Sequence, residues 1–228
     1  MGWLPALRTP LTAREAAQAL ADASGLRGSA LAVAIAQTAL ETDQWRALWR
    51  FNFGNLKATT GQDFQTLRTS ERINGVTVWF SPEGELDGPG GAVVGEHWGV
   101  PPGHPQTRFA AYPSALAGAR GWWALLHRPR YAAALRELQA GRPLEFAREA
   151  GRAGYYTAKP ERYASGLAAL YQQFRPLADQ IAPAKRKGQT APSLPAPRGK
   201  GSGGGAGVAL VLLGVLGAAV LGRRKAGK

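Results

Sequence analysis

The chain has 228 residues, 45% of them hydrophobic, which is enough for one globular domain with its own core followed by a tail. It contains no cysteine, which excludes a disulfide framework and a thiolate metal site. The formal net charge is +13, and most of the excess follows residue 182, where 9 Lys and Arg meet no acid. Such a tail suits an anionic membrane surface or polymer, and since no motif that reads DNA or RNA accompanies it, no nucleic-acid partner is expected.

The first part of the chain predicts two helices. Residues 1–10 lack a basic segment and a long apolar stretch, so no secretory signal peptide is expected. The segment "TARE" at residues 12–15 is typical of a capping box, and the helix behind it should end near Gly25. Ser29 is the expected N-cap of a second helix, "ALAVAIAQTALE", which is apolar nearly all round and therefore buried. Glu41 falls at the C-terminal end of this helix.

A β-hairpin is predicted next, because Asn74 and Gly75 form a strong turn signal and the "VTVWF" behind them is typical of a strand. Residues 81–106 are rich in Gly and Pro and indicate a long inserted loop. Helices are predicted again in "SALAGARGWWALL", "PRYAAALREL", "PLEFAREAG" and "ERYASGLAALYQQF". The expected fold class is α+β: one mainly helical domain over residues 1–182 with a small β-hairpin lobe.

The tail predicts a membrane anchor. Residues 183–205 form a basic linker that is first Pro-rich and then Gly-rich. Residues 206–222 are apolar and uncharged, and residues 223–228 form a basic tip. With the flanking glycines the run is long enough to cross the roughly 30 Å hydrocarbon core of a bilayer. A buried soluble helix is the alternative, but the linker separates the run from any core. A C-terminal transmembrane helix is therefore expected.

Glu41 is the first candidate for chemistry. A carboxyl at the end of a buried helix is partly desolvated, which disfavours its charged form and raises its pKa. A carboxyl that stays protonated near neutral pH is what a general acid for glycosidic bond cleavage requires, usually beside a second carboxylate. Asp43 is expected to raise the pKa further by like-charge repulsion. Taken alone, a helix-end Glu is more often a capping or surface acid, so this interpretation depends on the surrounding sequence.

The segments "LETDQW", "FNFGNLKA", "TSERINGVTVWF", "RFAAYPSALAGARGWWALL", "RPRYAAAL" and "AGYYTAKPERYASGLAALYQQF" follow one another along the chain. In this order they resemble the motifs of bacterial glucosaminidases of glycoside hydrolase family 73, in the lysozyme-like superfamily. The resemblance covers about residues 30–174. It implies a lysozyme-like fold and cleavage of the β-1,4 bond between N-acetylglucosamine and N-acetylmuramic acid in peptidoglycan glycan strands. The family's glycine after the Trp is absent here, and residues 81–106 have no counterpart.

The resemblance implies a role for three residues. Glu41 matches the general acid, Glu71 the second carboxylate on the β-lobe, and Tyr155 an active-site tyrosine facing the cleft. The candidate substrate-binding residues are Trp45, Phe53, Asn55, Lys57 and Tyr156. For the aromatic residues the alternative is a place in the core, and for Asn55 and Lys57 it is holding the loop. No cofactor is expected, and no metal site, since the histidines lack metal-binding spacing.

Two other functions stay open. One is lytic transglycosylase or muramidase-type cleavage; in a lytic transglycosylase a single Glu acts without an attacking water. The other is a non-enzymatic wall-binding or virion structural protein. A wall hydrolase with no signal peptide fits a bacteriophage origin, as an endolysin or a virion enzyme with phage structural or lysis partners, and a cellular tail-anchored protein is the alternative. The expected location is the membrane, with the catalytic domain facing the cell wall or periplasm, or the virion.

The anchor leads to a fractionation experiment. The full-length chain should pellet with membranes and require detergent for release, whereas a version ending at Ala182 should remain in the supernatant, because only the former has residues 206–222. A full-length chain that stays in the supernatant without detergent would contradict the anchor. Protection from protease added outside would keep the anchor and reverse the expected orientation.

Overall fold

The computed structural model describes residues 2–67, 69–73, 76–80, 107–156 and 158–182, and for residues 70–73 and 76–80 it describes the backbone alone. The expected inserted loop, linker, transmembrane helix and basic tip lie outside the described residues, as do the hairpin turn residues Asn74 and Gly75.

The described chain is mainly helical. Its helices are α1 (Ala13–Ser24), α2 (Gly28–Glu41), α3 (Ala115–Leu126), α4 (Ala132–Gln139), α5 (Pro143–Arg152) and α6 (Pro160–Gln180), with a short 3-10 helix (Pro129–Tyr131) before α4. Its strands form two antiparallel pairs: β1 (Phe64–Thr66) with β4 (Arg108–Ala110), and β2 (Thr69–Ile73) with β3 (Val76–Phe80). The α+β class with a small hairpin is confirmed to that extent.

Helix α2 lies at the centre of the core. Because it is apolar nearly all round, almost every one of its residues is buried, and it packs along α6 and also against α1 and α4. The helix before it begins with the predicted capping box, in which the Thr12 side chain accepts from the Glu15 backbone and the Glu15 side chain accepts from that of Thr12. That helix ends at Ser24, and Gly25 caps it with a φ of +76°, a left-handed conformation that glycine adopts without strain. Both features confirm the prediction.

The predicted N-cap of α2 is wrong. The helix begins at Gly28, one residue before Ser29, and Arg27 takes the cap position without a side-chain hydrogen bond. Ser29 instead lies in the first turn, against the chain that joins α4 to α5. A Cβ atom placed on Gly141 there would come within 2.4 Å of the Ser29 hydroxyl. The Ser29 hydroxyl therefore packs against a neighbouring segment of the chain and does not cap the helix.

The hairpin is confirmed by its register. Glu71 lies opposite Val78, and Ile73 lies opposite Val76, which leaves a two-residue connection between the strands. The pairing of β1 with β4 was not predicted, because three-residue strands are too short to show a period. Beyond this pair the Leu67 N–H donates to the Thr107 carbonyl at 3.0 Å, so the small sheet leads directly towards the hairpin.

Within the described ranges, no single helix is long and apolar enough to span a membrane, and α1 and α2 reach that composition only as a pair bent by 119°.

Candidate active site

Glu41 is the last residue of α2, and only 5% of its surface is exposed. Its Oε1 atom accepts a hydrogen bond from the Tyr163 hydroxyl at 3.1 Å and a longer one from Gln37 Nε2 at 3.4 Å. Its Oε2 atom has no hydrogen-bond partner among the described residues. Burial raises the pKa of Glu41 to about 8. The two hydrogen bonds lower this pKa, but their effect is smaller than that of burial. The carboxyl is therefore mostly protonated at neutral pH.

Gln37 joins Glu41 to Tyr155. Gln37 and Glu41 are four positions apart in α2 and therefore lie on the same face of the helix. Gln37 Nε2 donates to the Tyr155 hydroxyl at 2.6 Å, and Trp122 Nε1 donates to the same oxygen at 3.2 Å. Arg130 fixes the approach of the chain by donating to the carbonyls of the two residues before Tyr155. The ring of Tyr155 is fully enclosed, and burial together with the nearby Glu41 keeps its pKa well above the ordinary value, so the hydroxyl stays neutral.

Tyr163 is the site residue that the sequence analysis missed. It lies in the first turn of α6, 122 positions from its partner Glu41. The ring of Tyr156 stacks on it, with centroids 3.7 Å apart and planes within 10°. The Tyr156 hydroxyl in turn donates to the Ala147 carbonyl of α5 at 2.9 Å. The stacked pair therefore holds the Tyr163 hydroxyl towards the acid. In the sequence, the one sign of this role was an aromatic residue with a polar tip, a type that usually forms a hydrogen bond when it is buried.

The chain turns sharply after Glu41 through residues with left-handed backbone. Asp43, Gln44 and Trp45 have φ values of +50°, +51° and +62°, although none is glycine. This conformation costs roughly 1–2 kcal/mol for each L-residue. The Gln44 N–H donates to the Ala39 carbonyl at 2.7 Å and the Trp45 N–H to the Thr42 hydroxyl at 3.1 Å. These bonds end α2 directly behind the acid and turn Trp45 into the core.

Asp43 does not act on Glu41 as expected. Its carboxylate accepts two hydrogen bonds from the Arg46 guanidinium, at 2.7 and 3.1 Å, on the surface of the turn. The rise in the pKa of Glu41 comes from burial. The like-charge contribution assigned to Asp43 is therefore wrong, because the aspartate faces a cation and solvent.

The remaining candidate residues lie mostly inside the molecule. Trp45 is 1% exposed, with its ring centroid 5.4 Å from that of Phe174, and Phe53 is fully buried. Asn55 donates to the backbone carbonyl of Glu41 at 2.6 Å and so caps the end of α2. Lys57 is half-buried, with its ammonium 3.9 Å from the centroid of the Phe109 ring.

The glycine in "FNFG" is needed for close packing behind the acid. A Cβ atom on Gly54 would come within 2.9 Å of both the Leu56 and the Trp122 side chains. Asn52 holds the same loop, since its side-chain amide donates to the Leu56 carbonyl at 2.9 Å and its oxygen accepts from the Leu56 N–H at 2.8 Å. The loop thus brings Asn55 to the helix end.

Glu71 lies in β2, and the structure describes its backbone but not its side chain. The cluster built from described side chains therefore contains one carboxyl group, that of Glu41, with its partners Gln37, Tyr155 and Tyr163.

No protein-family model matches the chain, and no curated protein matches it in sequence. Among solved structures, the chain is similar to the crystal structure of a peptidoglycan hydrolase mutant from Sphingomonas sp. A1. The sequences are 25% identical, the match covers 72% of this chain and 92% of that one, and the TM-score is 0.45. A likeness of this degree assigns no activity to the chain.

The buried acid leads to a prediction about stability. Between the ordinary Glu value of 4.5 and about 8, the unfolded chain loses the proton of Glu41 while the folded chain keeps it. Rising pH therefore favours unfolding, by up to about 1.4 kcal/mol for each pH unit in this window. Glu41→Gln has no proton to lose. Its free energy of unfolding, relative to wild type, should increase from pH 5 to pH 8 in urea titrations.

Glu161→Gln is the matched control, since it removes one negative charge from an exposed position in the first turn of α6. A difference between wild type and Glu41→Gln that stays constant from pH 5 to pH 8 would show that the carboxyl of Glu41 titrates as it does in water.

Proposed function

We propose that the chain is a glycosidase that cleaves the glycan strands of peptidoglycan, with Glu41 as its general acid. The observation that supports this most directly is the asymmetry of the Glu41 carboxyl. One oxygen is held by Tyr163 and Gln37, while the other has no partner among the described side chains. The acid is also the most exposed of the four clustered residues, the others being fully enclosed or, for Tyr163, 3% exposed. The oxygen without a partner is itself buried in this structure, and it is the one from which a proton can leave without breaking a hydrogen bond.

The proton moves in one step with bond cleavage. Protonated Glu41 gives its proton to the glycosidic oxygen as the bond from that oxygen to the anomeric carbon breaks, and positive charge spreads over the sugar ring. The carboxylate left behind is buried, which on its own would be unfavourable. The hydrogen bonds from Tyr163 and Gln37 strengthen as the charge develops, because bonds to an ionised acceptor are about twice as strong. They stabilise the acid in the state that follows transfer.

The choice of the cleaved bond and of the second carboxylate rests on the sequence. The motif resemblance favours the bond between N-acetylglucosamine and N-acetylmuramic acid, and it favours Glu71 as the second carboxylate, which would activate water or stabilise the charged sugar. Glu71 lies on a two-stranded hairpin, and the resemblance assigns the second carboxylate to such a β-lobe. We propose the membrane as the place of action, because the apolar run behind the basic linker is long enough to cross a bilayer.

Glu41→Gln should lower the rate of wall cleavage by about 10²–10⁴-fold, the usual contribution of a general acid. Turbidity loss of purified cell walls measures the rate, and mass spectrometry of the released fragments identifies the sugar at the new reducing end. Glu161→Gln should cleave like wild type. Clearing by Glu41→Gln at the wild-type rate would remove Glu41 from the mechanism, and an N-acetylmuramic acid reducing end would reassign the bond.

Glu71→Gln should also slow hydrolysis, because water attack needs a base or a charge partner across the sugar from the acid. The measurement is the same, with fragment masses as a second readout. Full activity in Glu71→Gln, with fragments lighter than hydrolysis products by one water molecule, would favour the lytic transglycosylase alternative, in which one Glu suffices.

A further inference from the structure

The segment that precedes α1 presents apolar side chains to solvent. Trp3 is 51% exposed and Leu7 is 52% exposed, and Pro5 and Ala6 between them are exposed as well. We refer to residues 3–7 as the apolar patch. Contiguous apolar surface of this kind marks a place where a domain contacts another surface, because apolar groups are unfavourable in water. The patch lies outside the residues that carry the motif resemblance, so the resemblance gives it no role.

The backbone of the apolar patch is fixed to the rest of the domain. The Leu4 N–H donates to the Phe64 carbonyl at 2.8 Å, and the Arg50 N–H donates to the Leu7 carbonyl at 2.8 Å. The Arg50 side chain also donates to the Pro5 carbonyl at 2.7 Å. A segment held at both ends in this way is not a fraying terminus. Its apolar side chains therefore remain in water until another surface covers them.

The charges beside the apolar patch have both signs. Arg8 is exposed and Arg50 is half-buried, while the exposed Asp63 accepts a hydrogen bond from the Gly2 N–H at 2.9 Å. Binding at the patch therefore depends on apolar contact more than on charge. Trp3 combines an apolar ring with a polar N–H, and such a side chain prefers the boundary between lipid headgroups and acyl chains.

The tail begins within reach of the apolar patch. The carbonyl of Ala182, the last described residue, accepts a hydrogen bond from Gln18 Nε2 of α1 at 2.9 Å. Leu7 lies at most about 27 Å from Gln18, because only a short extended segment and the first turns of α1 separate them. The 23 residues 183–205 form the basic linker, and a linker of this length and composition typically spans about 24–29 Å. The patch and the apolar run behind the linker can therefore reach the same surface.

We propose that the apolar patch inserts Trp3 and Leu7 into the surface of a lipid bilayer, as a second contact beside the C-terminal anchor. The inference rests on the proposed membrane location and adds the orientation of the domain to it. An anchored domain meets the bilayer at high effective concentration, so a weak second contact is sufficient. Tyr163 lies about 25 Å along α6 from Gln180, which places the acid well away from the point where the tail leaves the domain.

The test uses the full-length protein in vesicles made of equal parts of a neutral and an anionic phospholipid. The chain has no cysteine, so Ala6→Cys can carry an environment-sensitive fluorophore at a single site within the patch. Its emission should shift to shorter wavelengths and lose most of its intensity to lipids that carry a nitroxide near the headgroup. The same fluorophore at Ser165→Cys, an exposed position about 22 Å along α6 from Gln180, should emit as it does in water.

Two further variants of the Ala6→Cys protein test the apolar side chains themselves. Trp3→Ser combined with Leu7→Ser should reduce the quenching to the level of Ser165→Cys, while the protein still pellets with the vesicles through its anchor. Leu144→Ser is the matched control, because it removes a leucine of α5 that is 49% exposed, and it should leave the quenching unchanged.

The outcomes separate this inference from the proposals on which it depends. A protein that pellets with the vesicles without quenching at residue 6, with equal quenching at residues 6 and 165, or with quenching that survives the double substitution would overturn the patch and leave the anchor in place. A protein that stays in the supernatant would overturn the membrane location and the patch together. An emission shift at residue 6 caused by soluble glycan strands and not by lipid would assign the patch to a sugar. No readout depends on wall cleavage, so loss of the proposed activity is a separate result.

Discussion

The carboxyl of Glu41 lies in the protein interior, and the rest of the site depends on this burial. The groups around the carboxyl reduce the free-energy cost of removing it from water. A buried carboxylate without partners is far less favourable than the neutral acid, so the group keeps its proton. Hydrogen bonds from Tyr163 and Gln37 act in the opposite direction, and burial outweighs them. The acid is thus held near the balance between its two states, where a group that must lose and regain a proton works best.

Burial in this position requires the helix to stop at the acid. Helix α2 supplies the apolar surroundings, but continuing it would carry the chain away from the loop that closes the site. The left-handed turn through Trp45 ends it, and Asn55 satisfies the last carbonyl. The strain of that turn is offset by the burial of large side chains such as Trp45 and Leu48, since burying one such side chain contributes roughly 1.5–3 kcal/mol. The irregular backbone is therefore part of how the acid is placed.

The sequence predicted features that depend on neighbouring residues. All of these are local patterns: the capping box, the nearly all-apolar sequence of α2, the two-residue hairpin turn and the acid at a helix end. It did not predict the tyrosine that donates to the acid, because the two residues are 122 positions apart and nothing local links them. Nor did residue type distinguish an aromatic ring in the core from one on a groove, as Trp45 and Phe53 show. The direction of those rings is set by the left-handed turn and the packing of the loop, and no glycine signals that turn at residues 43–45.

The distance between the acid and its tyrosine along the chain also sets when the site can exist. A ribosome makes the N-terminal part first and adds roughly 5–20 residues each second, so α2 is complete on the order of ten seconds before Tyr163 is added. During that interval no α6 covers the end of α2, and the Glu41 carboxyl is hydrated and ionised like any carboxyl in water. The buried, protonated form of this carboxyl therefore arises only when α6 packs against α2.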